Sequence, residues 1–450
     1  MNTPQPMNMR DGTVVSEKME PVVPALVCRD VKCTKRRFSP SNGGTFTASG
    51  SEIRIPISGN FVLDNKNINL NFKVATTTAA ALDFSPVGLF SQIRVEAGAG
   101  SSIVLEAIDD PAVWANFIYQ YTWTQDDISI QSCKQRSMLL QPDGGTTVAT
   151  AGLLTKTGAT LGATPIDVAL DLSLFMGIFS GSSGIPLYDT AGLTLVCTLN
   201  TAANAYQAAA AATMTLTEVF VSCSCLEGGE KYEAKLKEMK NSGNKEISVM
   251  YNTCRRYIQN IPISTLAINS LLINERSKSC LGFVAIARDT TNITDQTVYS
   301  NSNSLFFDYK NHVFNIAGQN YPVSAITTKA EAIDEAYDLY SHLSRRYNSG
   351  GLVSRAQGGG STTGTAVTTE ATQLAASGNA TGPSQVLAVN LSKCGPNENF
   401  WGKGMNMSQN NLSTYLQCQY STFTPQTINI YSVFQMKLHI DALGNMTTEF

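Results

Sequence analysis

In SEIRIPISG, Ile53, Ile55 and Ile57 alternate with Arg54, Pro56 and Ser58. In NINLNFKV, Ile68, Leu70, Phe72 and Val74 alternate with Asn67, Asn69, Asn71 and Lys73. A side-chain period of two with one polar face predicts half-buried strands of an antiparallel sheet. Pro56 withholds a ladder donor, so its strand belongs at an edge or a bulge. The same pattern predicts strands over 92–97, 102–108, 128–140, 166–172, 193–199 and 213–225, about eight across 42–226. Polar or small-residue loops at 141–165, 177–192 and 200–213 separate them. Loops this long are surface features in a compact domain.

LEGGEKYEAKLKEMKNSGNKE (226–246) breaks the β pattern. Its charge density, the Glu233–Lys237 pair and the flanking glycines predict a short exposed helix that joins two domains. Strand patterns then resume in RRYIQNIPI, TLAINSLLINE, SCLGFVAIARD, SLFFDYKNHVFNIAG, YPVSAI, SQVLAVNLS and STYLQCQYSTF. The last, QTINIYSVFQMKLHID, puts Ile428, Ile430, Phe434, Met436, Leu438 and Ile440 on one face. A Gly, Ser, Thr and Ala loop at 348–384 cannot bury enough to fold alone, so it lies on the surface or against a neighbour.

The halves carry one unit twice. QIRVEAGAGSSIVLEAIDDPAVWANFIYQYTW (92–123) and HVFNIAGQNYPVSAITTKAEAIDEAYDLYSHL (312–343) both run strand, glycine turn, strand, helix. Gly98 and Gly318 fall in the turns, and the helices begin near Asp110 and Lys329. With about eight strands per unit, the predicted fold is all-β: two tandem eight-stranded antiparallel jelly rolls (a double jelly roll), each with a short helix in an inter-strand loop. An up-and-down barrel has the same strand count but rarely holds such a helix. The expected layout is an N-terminal arm (1–40), a first jelly roll (41–226), a charged linker helix (227–246) and a second jelly roll (247–450).

The chain of 450 residues is 43 % hydrophobic and 15 % charged, below the ~25 % charge of globular domains. Weakly charged surfaces lose little on burial, which suits a protein covered by copies of itself. A net charge of −3 argues against the whole molecule binding nucleic acid. Lys32, Lys35, Arg36 and Arg37 form a basic cluster in the arm, suited to nucleic acid or anionic lipid, or simply to a solvated tail packed beside a neighbour. The first twenty residues lack an apolar core, and no run approaches the roughly 18 apolar residues of a membrane span. Synthesis in the cytoplasm or nucleus is expected, with the ten cysteines as free, mostly buried thiols.

SEIRIPISGNFVLDNKNINLNFKV, FSQIRVEAGAGSSIVLEAID with its helix, NERSKSCLGFVAIARDTTNI and FNIAGQNYPVSAI resemble stretches of one family. It is the double jelly-roll major capsid proteins of polinton-like viruses, virophages and related dsDNA viruses. The resemblance covers roughly 45–125 and 250–345. It implies a homotrimer that forms pseudo-hexagonal capsomers tiling an icosahedral shell, and hence a place in the virion. Implied partners are the chain itself, penton and minor capsid or cement proteins, and a genome or inner membrane touched by Lys32, Lys35, Arg36 and Arg37. The loops at 141–165, 177–192 and 348–384 would cover the outer surface or bind neighbours. Tyr188, Tyr206, Phe400 and Trp401 would be interface anchors or locally packed.

No catalytic, cofactor or metal site and no small-molecule substrate is expected. GPNENFWGKG places Gly404 after Lys403, where a phosphate loop needs Ser or Thr. GAGSS is followed by a strand, unlike a dinucleotide fingerprint. Asp109 and Asp110 precede Pro111, as at a capped helix N-terminus. His312, His342 and His439 are far apart in sequence. The alternatives are another β-rich virion protein (penton, spike or fibre) or a lectin-like carbohydrate-active sandwich. A penton normally has one jelly roll, and the carbohydrate-active sandwich needs clustered Trp and paired carboxylates.

Overall fold

The computed structural model describes residues 32–450 except 78–79, 84–85, 99–102, 123–133, 135–156, 162, 181–183, 202–205, 208–212, 229–232, 235–236, 239–245, 262–267, 291–308, 342–386, 394–400, 409–412, 421–425 and 442. The first half runs β1 (Lys32–Phe38), β2 (Glu52–Ile57), β3 (Val62–Thr76), β4 (Phe90–Ala97), β5 (Val104–Asp109), α1 (Pro111–Thr122), β6 (Ile166–Asp171), β7 (Leu193–Leu199) and β8 (Met214–Glu227). One sheet has the order β1-β8-β3-β6 and the other β2-β7-β4-β5. The second half runs β9 (Glu246–Ile261), β10 (Ile268–Ile273), β11 (Cys280–Asp289), β12 (Tyr309–Ile316), β13 (Gln319–Ile326), α2 (Lys329–Ser341), β14 (Leu387–Asn390), β15 (Thr414–Tyr420) and β16 (Gln426–Asp441).

Its sheets have the orders β9-β16-β11-β14 and β10-β15-β12-β13. Each strand of the first half therefore reappears eight numbers later, with the same neighbours, antiparallel pairing and helix position. This is a jelly roll built twice. Short strands are appended at Thr45–Phe46, Ile185–Pro186 and Met446–Glu449, and a small separate sheet joins Ala80–Asp83, Thr157–Leu161 and Tyr206–Gln207.

Alternation explains the registers. Ile53, Ile55 and Ile57 are buried and pair across to Cys197, Leu195 and Leu193. Each such side chain adds about 1.5–3 kcal/mol when fully buried. Pro56 lies on β2, an edge strand. Gly98 (φ 72°) and Gly318 (φ 82°) take the left-handed turn conformation of the two hairpins. Thr328 and Glu331 form a capping box on α2: Glu331 N–H donates to Thr328 Oγ1 (3.3 Å) and Thr328 N–H to Glu331 Oε2 (3.2 Å).

Three sequence expectations change. The end of the expected arm, Lys32–Phe38, is a strand paired with β8; its charged residues hid the apolar signal. The 177–192 loop is not an outer covering: Ile178, Phe179, Ile185, Leu187 and Tyr188 are buried within the chain. The inner strands β16 and β11 of the β9-β16-β11-β14 sheet are buried on both faces along much of their length, so Tyr431 and Val433 are as buried as Ile428 and Ile430. Of the strand expected at 128–140, only Lys134 is described, and it is helical. The 348–384 loop and most of the linker lie outside the described residues; Glu233 and Lys237 are helical.

Candidate functional site: the junction of the sandwiches and the faces it leaves open

β5 lies against β9, and the contact is built around a buried carboxylate. Glu106 accepts hydrogen bonds from Gly177 N–H (2.8 Å), Ile178 N–H (2.9 Å) and the Thr253 hydroxyl. Burial pushes its pKa up to about 7, against the opposing pull of those three donors. Beside it, Tyr251 Oη donates to Leu105 O (2.6 Å) and Arg256 pairs with Asp110 (2.9 Å). Trp114 of α1 lies 5.1 Å from the Tyr431 ring and donates Nε1–H to Phe175 O (3.1 Å).

The backbones approach closely. A Cβ on Gly177 would stand 1.7 Å from Asn252 O, and one on Gly444 1.9 Å from Asp189 O. One apolar cluster runs from the first core across this junction to Leu281, Val284, Ile286, Tyr431 and Val433. Phe283, Phe314, Ile428 and Ile430 belong to a separate cluster inside the second sandwich. The halves are thus fused by a desolvated surface across which Glu106, Tyr251 and Arg256 form hydrogen bonds, as in a permanent interface.

The four predicted site residues share β1 and divide between its faces. Arg36 turns toward the core side, paired with Glu227 (2.6 Å) and lying 5.0 Å over the Phe61 ring. Lys35 and Arg37 are exposed on the other face, Arg37 over Phe220 (4.8 Å), and Lys32 is exposed at the strand start. The outer face of β2-β7-β4-β5 carries a ladder in which Arg94 meets Glu52 (2.7 Å) and Glu96 (2.8 Å), while Arg54 pairs with the same two carboxylates. Among the described side chains, its counterpart on β10, β15 and β12 presents uncharged Ile268, Ser270, Leu272, Tyr415, Gln417, Gln419, Asn311 and Asn315.

The structure places the remaining candidates individually. Tyr188 is buried, its Oη accepting from Gly228 N–H (2.8 Å), so it packs locally and is not a contact between chains. Trp401 lies half-buried under Lys437 Nζ (5.9 Å). Phe400 and the Tyr206 side chain are outside the described residues. Asp109 accepts from Gln92 (2.6 Å), and Asp110 reaches across to Arg256 instead of serving its helix alone. Among the described residues the cysteines are free thiols, no His, Cys, Asp and Glu cluster could hold a metal, and no helix is long and apolar enough to cross a membrane.

Glu106 is the residue that sequence reading missed. Its signal was slight: in VLEAID, Glu106 alternates onto one face with apolar Val104 and Ile108.

Two sandwiches of identical topology, fused in one chain, define the double jelly-roll fold. Solved structures agree. The PBCV-1 protein VP54, fitted into a cryo-EM reconstruction of the virophage Sputnik, superposes with a TM-score of 0.59 at 12 % identity, over 93 % of this chain and 97 % of that one. The Sputnik virophage cryo-EM structure gives 0.56 at 10 %, over 93 % and 88 %. The Faustovirus major capsid protein gives 0.54 at 10 %, over 90 % of each. Neither a protein-family model nor a curated protein matches the sequence. At such identities the likeness shows the fold: this chain is a double jelly roll, the architecture of those capsid proteins.

Proposed function

We propose that this chain is a non-enzymatic major capsid protein whose homotrimers form pseudo-hexagonal capsomers tiling an icosahedral shell. The observation that carries the reading is the duplication itself. Two sandwiches with the same strand order, locked by a buried junction, give one subunit two like lobes. A closed ring of three subunits then presents six. A protein whose task is to tile needs this repetition and needs no reactive site. Penton and minor capsid proteins are the further partners, and the virion shell is the location. Lys32, with residues 1–31, is the proposed contact to genome or inner membrane.

Light scattering on purified protein tests the first step. The expected mass is about 145 kDa, three times the 48.3 kDa of the chain. Negative-stain images should show hexagonal particles. A stable monomer would overturn the proposal.

A further inference from the structure

Resting on that trimeric reading, we propose which faces meet: the β13–α2 edge of one copy docks onto the outer face of the β1-β8-β3-β6 sheet of the next. Within the chain, the β5–α1 edge covers the outer face of the β9-β16-β11-β14 sheet. Among the described residues, much of the duplicate of each surface is left open, although α2 touches α1 and lays Leu339 over Gly282 of β11 within the chain. Counted back from the helix start, fully buried Leu105 corresponds to Val323, which is 88 % exposed. Ser324 and Ala325 beside it are exposed as well. On the receiving side, Cys254 of β9, opposite Val433, is buried and Arg256, opposite Tyr431, is half-buried, while Cys33, Lys35 and Arg37 of the corresponding strand β1 are exposed. The occupant that fits each open surface is the one that covers its duplicate, here supplied by a second copy. Such a head-to-tail contact is heterologous and closes into a ring.

The two junctions differ in chemistry in a matched way. α1, PAVWANFIYQYT, has no charged residue, and it meets a face of Val284, Tyr431 and Val433. α2 packs Ala336 and Leu339 inward and leaves Glu331, Asp334 and Asp338 exposed. The face proposed to receive it presents Asn69, Asn71 and Ser222, bordered by Lys35 and Arg37. Lys73 on this face is already tied to Glu218 (2.6 Å) and faces Asp167, and Asp64 lies in the row of Lys35, so the basic charge that is left for a partner is concentrated on β1. An acidic helix thus has a basic strand as its complement. That pairing steers assembly and resists wrong partners. The junction inside the chain is apolar and permanent, whereas the one between chains is polar and reversible.

The test is native mass across concentration for wild type, Val323→Asp, Asp334→Lys with Asp338→Lys, Lys35→Glu with Arg37→Glu, and the four charge changes combined. Glu331 is left intact because it caps α2. Val323→Asp and each charge pair should raise the concentration needed for trimers at least about tenfold, with unchanged circular dichroism. The combined variant should recover trimers, and raising salt from about 0.1 to 1 M should weaken the wild-type trimer. If wild type is trimeric and Val323→Asp or either charge pair is equally so, the assigned faces are wrong and the trimer stands. Failure of the combined variant to recover overturns the charge match. A monomeric wild type removes the reading beneath it.

Discussion

At the residue scale, Glu106 and His312 set opposite pH dependences. Folding raises the Glu106 pKa to about 7 from an ordinary 4.5, because burial outweighs its donors. The folded state therefore holds a proton that the unfolded chain gives up. This contribution is full below pH 4.5 and is lost as pH rises through 7, a difference of about 3 kcal/mol. Glu106→Gln should flatten the stability profile between these pH values, read by denaturant unfolding. Glu106→Ala would strand two buried N–H groups and a hydroxyl, at a cost of about 2–4 kcal/mol. His312 is buried with Nε2 unpartnered, and burial lowers its pKa to about 4. Its contribution is present above pH 6.5 and lost as pH falls through 4. His312→Leu should remove the acid limb and leave the alkaline side unchanged. Nothing in the sequence marked His312 as buried.

At the element scale, the junction depends on two close backbone approaches. Gly177→Ala would drive Cβ into Asn252 O, so the strands must separate and the clasp on Glu106 opens. Gly318→Ala meets nothing within 4 Å and strains only a turn at φ 82°, which costs about 1 kcal/mol. Thermal melts should show a much larger drop for the first variant than for the second. Alternation made β2, β3, β4 and β7 legible, since each has one face toward its own core. It misplaced β1, where Lys35 and Arg37 occupy the solvent face and the inner face holds Thr34, Arg36 and Phe38. It also misjudged the loop at 177–192, because a loop's burial is set by what another domain lays over it.

At the scale of the whole molecule, strand β1 belongs to the first sandwich through its pairing with β8, and residues 1–31 lie outside the described residues. Removing 1–31 is expected to leave the melting temperature and the trimer unchanged and to impair shell assembly or content binding. Removing residues 1–37 also deletes nearly all of β1, so trimers should be lost as well; native mass and electron microscopy distinguish the two truncations. The sequence by itself determined most of the strands, the two glycine hairpins and the two helices that follow them, and so the duplication. These depend on side-chain period, turn glycines and caps, which act between near neighbours. Only the tertiary structure decided that Glu106 clasps the halves together and that Tyr431 is buried while Val323 is exposed. Equivalent positions in two like domains have the same local pattern, and their environments diverge only when one domain is laid against the other.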